Sequence, residues 1–190
     1  IASEGATVRY GKGGVSSLET SCRKSCRTLG IEEPEFLGLP DQGLDRLPQI
    51  EINRLLERKV AEHRPEVIYA HHHGDMNLDH RILHECTLVA ARPKPGSTVR
   101  RLLSFLVPSS SDWAPALASR TFHPNWYVDV TKTIDLKLRA MACYKTETPP
   151  YPHPRSLKAL KAHAQFWGSS IGRPYAEAFE LLRYVSAKPG

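Results

Sequence analysis

The sequence predicts an α/β fold of the doubly wound kind, a mostly parallel sheet with helices on both faces. Three observations carry that prediction. Short apolar runs alternate with segments of helical periodicity along the whole chain. The apolar runs are brief and nearly continuous, as in strands buried on both faces. Proline and glycine fall between the two kinds of segment rather than inside them.

The elements follow in order. Gly11-Lys12-Gly13-Gly14 marks a loop whose spacing does not match a phosphate-cradling motif. A helix is expected from about Ser17 to Leu29, stopped by Gly30. Phe36 to Leu39 reads as a short buried strand, ended by Pro40-Asp41-Gln42-Gly43. Ile50, Asn53, Leu55, Leu56 and Val60 give a second helix up to His63, and Arg64-Pro65 breaks it. Val67 to Ala70 is the next strand, and a helix from about Asp79 to Ala91 ends before Pro93. Leu102 to Val107 is a strand closed by Pro108 and a serine-rich loop.

Loop character then runs from Ser109 to about Asn125. Trp126 to Val130 alternates like a strand, and Ile134, Leu138, Met141 and Ala142 form a helical face. The prolines of Lys145 to Pro154 require a loop. Ser156 to about Trp167 is helical with Gly168 as its stop. Phe179 to Val185 fits strand or helix, with strand preferred.

Composition bounds the function classes. The 190 residues, 41% apolar and 24% charged, suit one soluble domain spanning 1–190. The net charge of +6 suits anionic partners, but the cations are scattered and no aromatic-interleaved basic stripe exists, so nucleic acid is not an expected partner. No apolar run approaches the ~20 residues of a membrane span. The four cysteines do not form a disulfide framework in a chain this long, and read as small thiols in a reducing, cytoplasmic setting.

The densest chemistry lies in His71-His72-His73-Gly74-Asp75-Met76-Asn77-Leu78-Asp79-His80, directly after the Val67 strand and before a helix. That is where open α/β sheets place their sites. The run Gly74 to Arg81 resembles the DxNxDHR form of the histidine motif in LmbE-like/PIG-L zinc de-N-acetylases. Leu29-Gly30-Ile31, Leu39-Pro40-Asp41, Ala91-Arg92-Pro93, Phe122-His123-Pro124-Asn125, Tyr151 to Ser156 and Tyr175 to Phe179 follow in the same order as in bacterial members.

The resemblance implies a Rossmann-like fold, a zinc cofactor and a small-molecule amino-sugar conjugate as substrate, and it leaves room for a homo-oligomer. It makes His80 a zinc ligand. Asp79 would orient that imidazole, and Asn77 takes the place of a histidine that assists the oxyanion in many members. Asn77 can donate a hydrogen bond but cannot deliver a proton. Asp41 matches a sugar-hydroxyl contact, although Gln42-Gly43 makes a turn-forming role equally apt. His153 and Arg155 could meet a substrate anion; alternatively they shape the start of a helix capped by Ser156.

His84 is read as structural, since Arg81 stands where a His-Glu-x-x-His motif needs Glu. His71 to His73 are read as loop residues, with adventitious metal binding as the alternative. Glu177 is carried by resemblance alone, as a carboxylate with a structural partner. The family's His-Pro-Asp-Asp-Glu motif, with two zinc ligands and the general base, does not occur in this sequence. Ile1-Ala2-Ser3-Glu4-Gly5 resembles the end of the family's second strand, so the first strand and helix are expected to precede Ile1. Two function classes stand: a zinc-dependent deacetylase, and a non-catalytic scaffold or binding subunit of the same fold.

Overall fold

The computed structural model describes residues 1–3 and 12–186. Five helices and four strands alternate among them: α1 (Lys12–Leu29), α2 (Gln49–His63), β1 (Val67–His71), α3 (Leu78–Ala90), β2 (Arg101–Phe105), β3 (Trp126–Asp129), α4 (Ile134–Met141), α5 (Leu157–Ser169) and β4 (Ala176–Tyr184). The fold is α/β, as the alternation predicts. The strand order is β1-β2-β4-β3. β1 and β2 are parallel, with Val67 opposite Arg101 and His71 opposite Phe105. β2 and β4 are antiparallel. The sheet is therefore mixed rather than mostly parallel. The physical reason is the short connection after α5, which returns the chain along β2 in the opposite sense instead of through a crossover helix.

The chain forms two compact units, residues 1–44 with 127–177, and residues 45–126 with 178–190. In the first, α1 packs on α4 and α4 on α5. Ala2 and Ser3 run beside Leu37 to Leu39, with Leu37 N–H donating to Ile1 O at 2.9 Å and Leu39 N–H to Ala2 O at 3.1 Å. Among the described residues this gives one parallel bridge, Ser3 with Leu39 of the apolar run 36–39. Glu4 and Gly5 lie outside the described residues, as does Gly11. Lys12 to Gly14 belong to the first turn of α1, which starts five residues before the position the periodicity suggests.

In the second unit α3 packs on β1 and α2 on α3. Its core joins Ala91, Val99 and Leu102 with Val60, Ile68 and Leu88. Leu102, Leu103 and Ser104 of β2 are buried in succession, as an interior strand requires. α2 ends at Arg64, which takes a left-handed backbone with φ 46° and donates its N–H to Val60 O. Pro65 then forbids continuation.

One helix end departs from expectation. Gly168 does not stop α5, which continues to Ser169. A Cβ at Gly168 would lie 2.6 Å from Arg173 O and 2.8 Å from Tyr175 N. The glycine admits the returning chain against the helix, so it marks a close approach and not a cap. No helix among the described residues is long and apolar enough to cross a membrane.

Candidate functional site

The loop His72 to Asn77 follows the last residue of β1 and ends at the N-terminus of α3. Asn77 is the N-cap: its side-chain Oδ1 accepts from Asp79 N–H at 2.9 Å. Capping of this kind favours Asn, Asp and Ser, because a short side chain can reach the orphan amides of the first turn. Arg81, one turn into α3, donates through Nη1 to Asp75 O at 2.8 Å and Met76 O at 3.1 Å. The arginine of the motif thus ties the loop to the helix.

Asp75 is fully buried. Its Oδ1 accepts from Ser110 Oγ and from Asn77 N–H at 2.8 Å, and its Oδ2 accepts from Ser111 Oγ at 2.9 Å. Nδ1 of His80 lies 3.2 Å from Oδ2, close enough for charge pairing but out of line for a full hydrogen bond. Burial opposes the charge on Asp75. The His80 contact, the Ser110 hydroxyl and the Asn77 amide outweigh it and bring its pKa down to about 2. Asp75 is therefore ionised at neutral pH, and it fixes one face of the His80 ring.

His71 stacks on His80, with ring centroids 4.2 Å apart. Burial and the neighbouring His80 push the His71 pKa down to about 3, so its ring is neutral. The His71 carbonyl accepts from His84 Nδ1 at 2.7 Å and from Ser104 Oγ at 3.2 Å. His84 is buried and holds the end of β1, the structural role its sequence context suggests.

The next residue faces the other way, as extended chain requires. His72 is 1% exposed, with Nδ1 2.9 Å from Glu180 Oε2 and Nε2 2.9 Å from Arg120 O. Glu180 Oε1 accepts from His123 N–H at 2.7 Å. Burial works against a charged His72, but the Glu180 bond and the Arg120 carbonyl more than compensate and raise its pKa. Glu180 is correspondingly lowered against the same burial.

The structure brings together His80, Asp75, Asn77 and Asp79 on one loop and helix start. The carboxylate set against the His80 ring is Asp75, which stands in the sequence motif but was not singled out for that task; Asp79 is a buried residue of the first turn of α3. Ser110 and Ser111 were also not anticipated. The available signal was topological: loops after adjacent parallel strands share one edge of the sheet, so the serines after β2 meet the loop after β1.

Asp41, His153 and Arg155, the residues expected to contact substrate, belong to the other compact unit. Asp41 starts a turn whose second residue, Gln42, has φ 48°. His153 Nδ1 accepts from Arg155 N–H at 3.1 Å, and the Arg155 guanidinium pairs with Glu147. Ser156 caps α5 by accepting from Ala159 N–H at 3.1 Å. The segment before α5 thus shapes the helix start. Glu177 pairs with Lys137.

A zinc ion is implied by the motif. The residues present fit one corner of such a site: His80 has a carboxylate on Nδ1, the arrangement by which ligating histidines are oriented, which leaves Nε2 as the ring's other nitrogen.

Residues 4–91 match the family profile described as PIG-L, GlcNAc-PI de-N-acetylase. Comparison with curated protein sequences returns no significant match. Among solved structures, the conserved protein TT1542 from Thermus thermophilus is 24% identical, with 96% of this chain and 80% of that one covered at a TM-score of 0.74. The N,N'-diacetylchitobiose deacetylase from Pyrococcus horikoshii is 19% identical, with 96% and 71% covered at a TM-score of 0.72. GalB, the 4-carboxy-2-hydroxymuconate hydratase from Pseudomonas putida, is 18% identical, with 96% and 80% covered at a TM-score of 0.70. These three likenesses show the fold; the reaction is a matter of the site. The motif loop at the C-terminal end of β1 thus lies in a segment, residues 4–91, that matches the PIG-L profile, within a fold shared with these structures.

Proposed function

We propose that this chain carries part of the site of a zinc-dependent deacetylase acting on the N-acetyl amide of an N-acetylglucosamine-type sugar conjugate. The observation that carries the reading is the Asp75–His80 pair: a buried, ionised carboxylate held by three hydrogen bonds and set against one nitrogen of an imidazole at a strand C-terminus. The family description and the Pyrococcus horikoshii deacetylase support it.

In this reading His80 is a metal ligand and Asp75 fixes its ring. Zinc, when bound, supplies a Lewis acid for the amide carbonyl and lowers the pKa of a water. Asn77 uses its Oδ1 for the α3 cap, so its amide N–H2 is the group left to donate to a developing oxyanion. Asp79, at the first turn of α3, acts beside it. Substrate contacts are assigned to Asp41, His153 and Arg155 on the family pattern alone. The general base and the other ligands belong to the His-Pro-Asp-Asp-Glu segment, which residues 1–190 do not contain.

The second reading, a non-catalytic subunit, draws on that same absence and on Asn77 in place of histidine. Acetate release from N-acetylglucosamine conjugates separates the two. A protein carrying the His-Pro-Asp-Asp-Glu segment upstream of Ile1 is expected to turn over, whereas the 190 residues alone are not. Loss of a general base by itself forfeits ~10²–10⁴-fold. In the longer protein His80→Ala should abolish activity. Turnover indifferent to His80→Ala would defeat the deacetylase reading.

A further inference from the structure

We propose that His72, His73 and Glu180 form a binding site for a divalent transition metal such as zinc, separate from the site built on His80. The ligand-capable atoms of the three residues all lie within 4.8 Å of one another. Two imidazoles and one carboxylate are a donor set that zinc accepts, with a fourth position open to water.

Proximity alone would not carry the inference, because histidines and carboxylates often meet. The second observation is how the two Nε2 atoms and Glu180 Oε1 are held. His72 Nε2 lies 2.9 Å from Arg120 O, and His73 Nε2 lies 3.0 Å from Ser119 O. A carbonyl only accepts, so both rings carry a proton on Nε2, which makes Nδ1 the nitrogen of each ring that can serve as a ligand. Glu180 Oε1 is held by His123 N–H at 2.7 Å, which leaves Oε2. Metal-ligating histidines have this signature: the nitrogen away from the ion donates to a backbone carbonyl, which sets tautomer and ring angle. Here three successive stretches of one loop, at Ser119, Arg120 and His123, do it for all three residues.

The third observation is the spacing of the innermost pair. His72 Nδ1 and Glu180 Oε2 stand 2.9 Å apart. Two ligand atoms each ~2.1 Å from one cation are roughly 2.9–3.4 Å apart, from octahedral to tetrahedral angles. A cation can therefore take the place of the bridging proton with little movement. His72 and Glu180 are buried whereas His73 is exposed, so His73 is the solvent-facing side from which an ion enters. Binding would join the loop after β1, the loop before β3 and strand β4 through one ion. It depends in no way on deacetylation.

The test uses the 190-residue chain stripped with chelator, titrated calorimetrically with Zn²⁺ and spectroscopically with Co²⁺. The expected result is one equivalent bound, with proton release and with visible Co²⁺ bands of imidazole–carboxylate ligation. His80→Ala should bind as the unaltered chain does. His73→Ala, at an exposed residue, should weaken binding by at least about tenfold, as should Glu180→Gln. Circular dichroism of the metal-free variants separates lost ligation from lost folding. Absence of stoichiometric binding overturns the proposal, as does binding insensitive to His73→Ala or binding that His80→Ala abolishes.

Discussion

Asp75→Asn is the perturbation that tests the site most directly. The carboxylate only accepts, and it takes Ser110 and the Asn77 amide on Oδ1, and Ser111 with the His80 ring on Oδ2. A carboxamide of the same shape keeps one acceptor oxygen and turns the other into a donor. If the oxygen stays with Ser110 and Asn77, two charge-assisted bonds become neutral ones, at about 1 kcal/mol each. The Ser111 hydroxyl can rotate to accept. The His80 contact loses its charge, for about 1 kcal/mol more. The sum is about 2–3 kcal/mol. The fall of the Asp75 pKa from 3.8 to about 2 corresponds independently to about 2 kcal/mol. For a chain of this size that lowers Tm by roughly 4–12 °C.

The pH dependence has a definite sign. The folded pKa of Asp75 is depressed, so its stabilisation is fully present above 3.8 and is lost as pH falls through about 2. The gap between wild type and Asp75→Asn should hold from pH 7 to about 4 and close below that. There is a chemical consequence as well. The new N–H2 favours a lone pair on His80 Nδ1, which moves the ring proton to Nε2 and removes the nitrogen left for a metal. Thermal denaturation across pH, with the ring tautomer read by nitrogen-15 NMR, measures both effects. A midpoint within about 1 °C of wild type, or a gap that does not narrow on acidification, would refute the role given to Asp75.

Further outcomes are expected elsewhere. Gly74→Ala places a Cβ in collision with the Arg120 backbone and 2.6 Å from His72 Nε2, so thermal denaturation should show a loss of about 1–3 kcal/mol or more. With chelator present, the His72–Glu180 pair should stabilise most between the ordinary pKa values of its members, 4.5 and 6.5. Its His72 part is lost as pH rises through that residue's raised pKa, and its Glu180 part as pH falls through the lowered one; a wild-type advantage over His72→Gln that grows above pH 8 would contradict this. Ser156→Ala should cost about 1 kcal/mol through the lost α5 cap, measured by chemical denaturation. Arg155→Ala should reduce stability by breaking its part-buried pair with Glu147, and an effect confined to substrate KM with unchanged Tm would instead favour substrate contact.

Local rules fixed what depends on near neighbours in the chain. The periodicity of α2 and α3, the proline after Arg64, the cap at Ser156 and the alternation of strand with helix all follow from interactions spanning a few residues, and the sequence by itself determined them. It also determined the motif at residues 74–81, and with it the resemblance to the PIG-L profile. The tertiary structure alone decided what depends on distant partners. β4 runs antiparallel to β2 because of how the chain returns after α5, which no local propensity encodes. Gly168 reads as a stop in sequence and is a close approach in space. The carboxylate set against the His80 ring is Asp75, held by serines 35 and 36 residues away. His72 and Glu180, 108 residues apart, meet only because β1 and β4 flank β2 in one sheet. Hydrogen bonds between far segments form only after the sheet has set their register, so their partners are written in the topology rather than in the spacing of the residues.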